Sequence, residues 1–142
     1  MTVLAVVHLA LVAAYAGFQC TVRALVYPQF AGVGPGDFAD YERAHQRRVS
    51  RVVGPLFAGQ GVTTAWLLVA LLRGDAPALP VLGGALCLAV VLGVTAVGAV
   101  PLHRRLDAGW DAAAHARLLR VDSVRVAAAS ANVVLAGWLV LG

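Results

Sequence analysis

LPVLGGALCLAVVLGVTAVGAVPL, residues Leu79–Leu102, carries no charged side chain and a single hydroxyl, Thr95. A helix needs roughly 20 apolar residues to cross about 30 Å of hydrocarbon, and this stretch exceeds that length. Val3–Val22, Val52–Leu72 and Val121–Leu141 approach or reach it as well. The composition agrees: 61% hydrophobic and 13% charged, against roughly 25% charged in an ordinary soluble domain. Mean hydropathy is +0.82. A soluble fold of 142 residues could not hide four such segments, because a chain this small leaves too much of its surface exposed. The sequence therefore predicts an all-α, four-transmembrane-helix bundle, one membrane domain over residues 1–142, surrounded by lipid bilayer.

The charges lie between the apolar stretches. All eleven basic residues are arginine. Arg23, Arg43, Arg47, Arg48 and Arg51 fall around the first connection; Arg104, Arg105, Arg117, Arg120 and Arg125 fall around the third; Arg73 stands alone. Arginine near span ends marks the cytoplasmic side. The chain is thus expected to be a multi-pass cell-membrane protein with both arginine-rich loops in the cytoplasm and both termini outside. Nucleic acid is not an expected partner despite the net charge of +4, since Asp37, Asp40, Glu42, Asp107, Asp111 and Asp122 interleave the basic clusters. Cys20 and Cys87 form no Cys-x-x-Cys pair and read as reduced, packed thiols. Ala14-Tyr15-Ala16 imitates a signal cleavage site, but no Lys or Arg precedes the apolar run, so the segment reads as a retained first helix.

The two halves resemble each other weakly. Val26-Tyr27-Pro28 ends the first span and Val100-Pro101-Leu102-His103 the third; His45-Gln46-Arg47 and His115-Ala116-Arg117 follow ahead of the next spans. Two parallel-oriented hairpin repeats would share this pattern, although any two hairpins with Pro at a helix end and Arg at the interface would show it too. Gly83-Gly84 and Gly93/Gly98 suggest close helix packing.

Ionisable groups inside a span cost at least about 2.5–3.5 kcal/mol at its centre, so they face the bundle interior. His8, Tyr15, Gln19 and Arg23 form one stripe down the first helix. His8, near the outer end, reads as an inter-helix packing residue. The second helix is expected to begin at Asp37 as N-cap, with Tyr41, Glu42, His45 and Arg48, then Gln60 and Thr64, on roughly one face. The fourth helix, starting near Trp110, aligns Asp111, His115, Leu118, Asp122, Arg125 and Asn132; Asp122 and Arg125, one turn apart, can neutralise each other. His45, His103 and His115 fall at one membrane level. With Glu42 and Asp111 they supply enough donors for a transition metal, iron or copper. Acid–base catalysis without a cofactor, using a histidine with Arg48 or Arg125 beside an anionic intermediate, is equally open. No phosphate-binding Gly loop, HExxH, GxSxG or dinucleotide fingerprint is present.

Thr95 followed by Val100-Pro101-Leu102-His103-Arg104-Arg105-Leu106, then Trp110-Asp111 and Leu119 through Arg125, resembles the small four-helix membrane proteins of the anthrone-oxygenase-like group. Tyr27-Pro28, Tyr41-Glu42, His45 with Arg47-Arg48, and Pro55 look like a bacterial branch of it. The resemblance covers most of the chain through short motifs. It implies oxidation of polycyclic phenolic anthrones to quinones, and many relatives have no assigned activity. His103 stands where many members carry Asn, and Asp122-Ser123 replaces an Asn-Trp-type segment. The expected function is a membrane oxidoreductase or oxygenase acting on a hydrophobic aromatic or polyketide-like molecule. The expected catalytic residues are His45, His103, His115, Arg48, Asp122 and Arg125, and the expected metal donors His45, His103, His115, Glu42 and Asp111. A homo-oligomer is compatible with this reading. The alternatives are a small transporter, an accessory subunit of a membrane complex, or a haem-binding electron carrier using two facing histidines.

Overall fold

The computed structural model describes Met1–Gly142. It contains four helices and no strand: α1, Thr2–Gly32; α2, Phe38–Leu72; α3, Ala78–Leu106; and α4, Ala112–Leu141. All four are long and apolar enough to span a membrane, as a multi-pass membrane protein requires. Residues 33–37, 73–77 and 107–111 link them. Links this short make successive helices antiparallel neighbours. α4 packs along both α1 and α3, and α2 leans less closely on α1 and α3 alike. The helices outrun the apolar stretches chiefly at the arginine-rich end, where a half-polar face continues the same 3.6-residue period.

Local chemistry sets the ends. α2 closes in a Schellman motif: the Asp75 N–H donates to Ala70 O at 2.9 Å and the Gly74 N–H to Leu71 O at 3.0 Å. Gly74 takes φ +79° there, a conformation a side chain would oppose. Asp111 caps α4 by accepting from the Ala114 N–H at 2.9 Å. That bond, helped by Arg105, holds its carboxyl below the usual aspartate range against the effect of burial. Asp37 does occupy the N-cap position of α2, but its side chain makes no capping hydrogen bond.

The bundle is apolar outside and polar inside. Val97, Val134 and Leu86 are 81%, 72% and 66% exposed, whereas Glu42 and Asp122 are wholly buried. Lipid removes the drive to bury apolar groups and leaves the drive to pair polar ones. α3 and α4 approach closely through glycine. A Cβ on Gly84 would lie 3.0 Å from Asn132 Oδ1, one on Gly83 3.0 Å from Leu135, and one on Gly98 3.0 Å from Val121. Gly93 differs from the sequence expectation: nothing lies within 4 Å of its Cβ position, and it faces outward. Gly84→Val is therefore expected to cost about 1–3 kcal/mol by overpacking, read as a lowered thermal midpoint in detergent. Gly93→Val should leave the midpoint unchanged; equal effects at the two sites would refute this account of the interface.

Two π-helical turns interrupt the bundle, Val22–Val26 in α1 and Thr95–Ala99 in α3. Each ends two residues before a proline, Pro28 or Pro101. Proline lacks an N–H and its ring crowds the carbonyl four residues back, so a wider turn relieves both problems. The same device sits at the same place in both hairpins. π-Turns also shift the phase of everything beyond them and are frequent at functional sites.

Candidate functional site

The first π-turn determines which polar residues of α1 stay inside. His8, Tyr15 and Gln19 are buried, as the stripe predicts. Arg23, inside the turn, swings out and donates from Nε to Ser123 Oγ at 3.1 Å. Tyr27, one residue past the turn, comes back into the interior and is 2% exposed.

Around Tyr27 the buried polar groups join into one chain. Glu42 Oε1 lies 2.5 Å from His103 Nδ1 and accepts from Gln46 Nε2 at 3.1 Å. His103 Nε2 lies 3.1 Å from the Tyr27 hydroxyl. Arg125 Nη2 donates to that hydroxyl oxygen at 3.2 Å and Nη1 to Thr95 Oγ1 at 3.3 Å. Arg125 Nε reaches Asp122 Oδ1 at 3.1 Å; Arg125 Nη2 and Gln19 Nε2 close on the same oxygen. The donors assign the protons. A carboxylate on Nδ1 makes that nitrogen an N–H donor, and in the singly protonated ring Nε2 is left to accept. Tyr27, already accepting from Arg125, points its own proton at Nε2. A phenol hydrogen-bonded to an imidazole, with a guanidinium on its oxygen, forms a path along which a proton can pass.

His45 stands beside this chain, its ring stacked on His103 at 5.9 Å and 27° and 5.9 Å from the Tyr27 ring. The two histidines meet as their positions at the helix ends predict. A cavity of about 450 Å³ opens in front of them, within the range that holds small ligands. Its polar wall includes Gln19, Tyr27, His45, His103 and Arg125, and its apolar wall includes Phe18, Val53 and Phe57.

Other expected site residues lie elsewhere. His115 is buried, but its Nε2 lies 2.8 Å from the Tyr27 carbonyl oxygen and its ring 4.9 Å from Trp110; it ties α4 to the end of α1 and does not line the cavity. Asp111 is engaged as the α4 cap and with Arg105 at 2.6 Å. Arg48 points outward from α2, because it sits about 120° off the Glu42 direction and its long side chain reaches polar surroundings. Asp122 lies behind Arg125, one layer from the cavity.

The metal set does not assemble. No three His, Cys, Asp or Glu side chains converge on one point, and both His103 nitrogens are already engaged. Sequence reasoning misses Tyr27, Gln46 and Thr95 as site residues. Tyr27 carries a signal, an aromatic hydroxyl directly before a span-end proline; Gln46 and Thr95 carry none beyond their level in the membrane.

The fold and this wall define the class: a polytopic four-helix membrane protein with a continuous hydrogen-bond chain at the edge of a cavity. The chain matches no protein-family model, no curated protein and no solved structure.

Proposed function

We propose that the protein is a membrane oxidoreductase of the oxygenase type, acting on a hydrophobic aromatic or polyketide-like molecule with an enolisable carbon. The observation that carries the reading is the Glu42–His103–Tyr27–Arg125 chain facing a cavity with one apolar wall. Tyr27, ionised by transfer of its proton to His103, takes a proton from a methylene beside a carbonyl or phenol. Arg125 and Tyr27 sit where the enolate oxygen would develop charge. The enolate carbon delivers its electron pair to dioxygen, the peroxide takes up the proton, and the hydroperoxide loses water. In balance, one methylene and one dioxygen become one carbonyl and one water: the carbon is oxidised and dioxygen is reduced. His45 stands near enough to exchange the proton in that last step. The resemblance to anthrone-oxygenase-like proteins supports the same chemistry. The arginine distribution supports a cell-membrane location with the arginine-rich loops in the cytoplasm.

The test is an oxygen electrode with nanodisc-embedded protein and a panel of enolisable polycyclic phenols, such as anthrones, read together with quinone absorbance. One dioxygen consumed per carbonyl formed is expected. A wild-type protein that oxidises none of them would sink the proposal. For sidedness, Gly34→Cys in a Cys20→Ser background should resist an impermeant maleimide applied from outside intact cells; ready labelling would invert the topology.

A second reading, a small transporter, draws on a different observation. Polar side chains continue past the cavity toward the terminal end: Tyr15, Gln60, Thr64 and Asn132 are buried, and the Tyr15 hydroxyl, Thr64 Oγ1 and Asn132 Oδ1 have no partner. Substrate accumulation in proteoliposomes without chemical conversion would favour it.

A further inference from the structure

The cavity is not sealed by its own helices. α2 and α3 are its flanks, and α2 is held less closely by its neighbours than α4 is. The residues that line it on these flanks include the exposed Ser50 and Gly54 of α2 and Val100 and Arg104 of α3. Their depth can be read along the helices. Gly54 is three residues past Arg51, and Val100 four residues before Arg104. At about 1.5 Å per residue both lie roughly 5 Å inward of the arginine belt, on the side of the apolar stretches. Pro55 follows Gly54 in α2, so the wall at this point lacks a side chain at one position and a backbone donor at the next.

The charge of the lining has one sign. Arg104, Arg125, His45 and His103 line the cavity, and no Asp or Glu does. Arg125 is neutralised from behind by Asp122. Arg104, at the mouth, makes no ion pair. A guanidinium without a partner at the rim of an apolar opening attracts an anionic head whose body can stay in lipid.

We infer that the cavity opens sideways to the bilayer between α2 and α3, and that it admits an acidic amphiphile from the lipid past Arg104. The head, a phenolate or carboxylate, passes Arg104 toward Tyr27 and Arg125, while the apolar body lies along Val53 and Phe57. This rests on the reading of the cavity as a substrate site and adds its route and the charge of what it takes.

Gly54 makes the route testable without disturbing the core. A Cβ there meets nothing within 4 Å, and the same is true of Gly93 on the outward face of α3. Protein in nanodiscs would be photolabelled with a diazirine-bearing fatty acid, and the labelled peptides sequenced. Labels are expected on cavity residues such as Val53, Phe57 and Val100. Gly54→Trp should remove most of this labelling and Gly93→Trp none. Arg104→Gln, or the methyl ester of the probe, should reduce it about fivefold, the size of one partly exposed charge contact. Labelling confined to outward residues such as Val97 and Leu86, or unchanged in Gly54→Trp, would overturn the lateral route. Equal labelling by acid and ester would overturn the acidic head. The readout needs no turnover. If labelling is blocked by Gly54→Trp while the wild type oxidises nothing, the oxygenase proposal fails alone. If wild type oxidises and Gly54→Trp labels normally, only the route fails.

Discussion

Asp122→Ala should destabilise the protein by roughly 3–5 kcal/mol, the usual consequence of stripping one partner from a buried ion pair. Asp122 is wholly buried and Arg125 is 7% exposed. Asp122 Oδ1 takes two donors of Arg125 and the amide of Gln19. Without the carboxylate, the guanidinium remains in an apolar interior with only the weaker Thr95 and Tyr27 oxygens to satisfy it. Thermal unfolding in detergent should shift down on the order of 10 °C. Arg125→Met alone should do comparable damage by stranding Asp122. The double variant Asp122→Leu/Arg125→Met should recover most of the loss, since well-packed apolar replacements of buried pairs are often neutral or better. A single Asp122→Ala variant that unfolds like wild type would mean the pair is hydrated and not closed as described.

The second large effect is kinetic. Given an oxidised substrate from the oxygen-electrode panel, Glu42→Gln and His103→Ala should each lower kcat by about 10²–10⁴-fold, the range for losing a positioned acid–base group. Glu42 is wholly buried with His103 Nδ1 as its close partner. Removing its charge withdraws the support for an imidazolium on His103, and so the driving force for ionising Tyr27. Tyr27→Phe should fall with them, and the Glu42→Gln/His103→Ala pair should lose little more than either single variant, because members of one relay are not additive. All should still insert, since four apolar spans supply that energy. His8→Gln is the control: His8 Nδ1 sits 2.8 Å from Thr63 Oγ1, far along α1 from the relay, and an amide can replace that contact. A Glu42→Gln/His103→Ala protein with near-normal turnover would remove the relay from the mechanism.

Much of the site is legible in the sequence. Helical spacing turns Glu42, His45, Asp122 and Arg125 inward, and all are buried. The position of His103 beyond Pro101 puts it at the same level. In straight helices the angle per residue is constant, so a stripe in the sequence is a stripe in space. Legibility ends where that constancy breaks or where two uses compete for one residue type. Arg23 leaves the stripe at the Val22–Val26 π-turn. His115 and Asp111 have the composition of ligands, yet one is spent on a backbone carbonyl and the other on a helix cap.

What the chain determines by itself is the four-helix membrane architecture and the inward direction of its polar stripes. Both follow from quantities summed locally: apolar length against bilayer thickness, and polarity against angle around a single helix. The tertiary structure alone decides that Tyr27, 76 positions from His103, carries the bridge between the Glu42 and Asp122 ends of the chain, and that no metal cage closes around the histidines. Those outcomes depend on how four helices rotate against one another after two π-turns have reset their phase. That rotation is set by contacts between distant segments, through Gly84 against Asn132 and Gly98 against Val121, and no window of sequence contains both sides of such a contact.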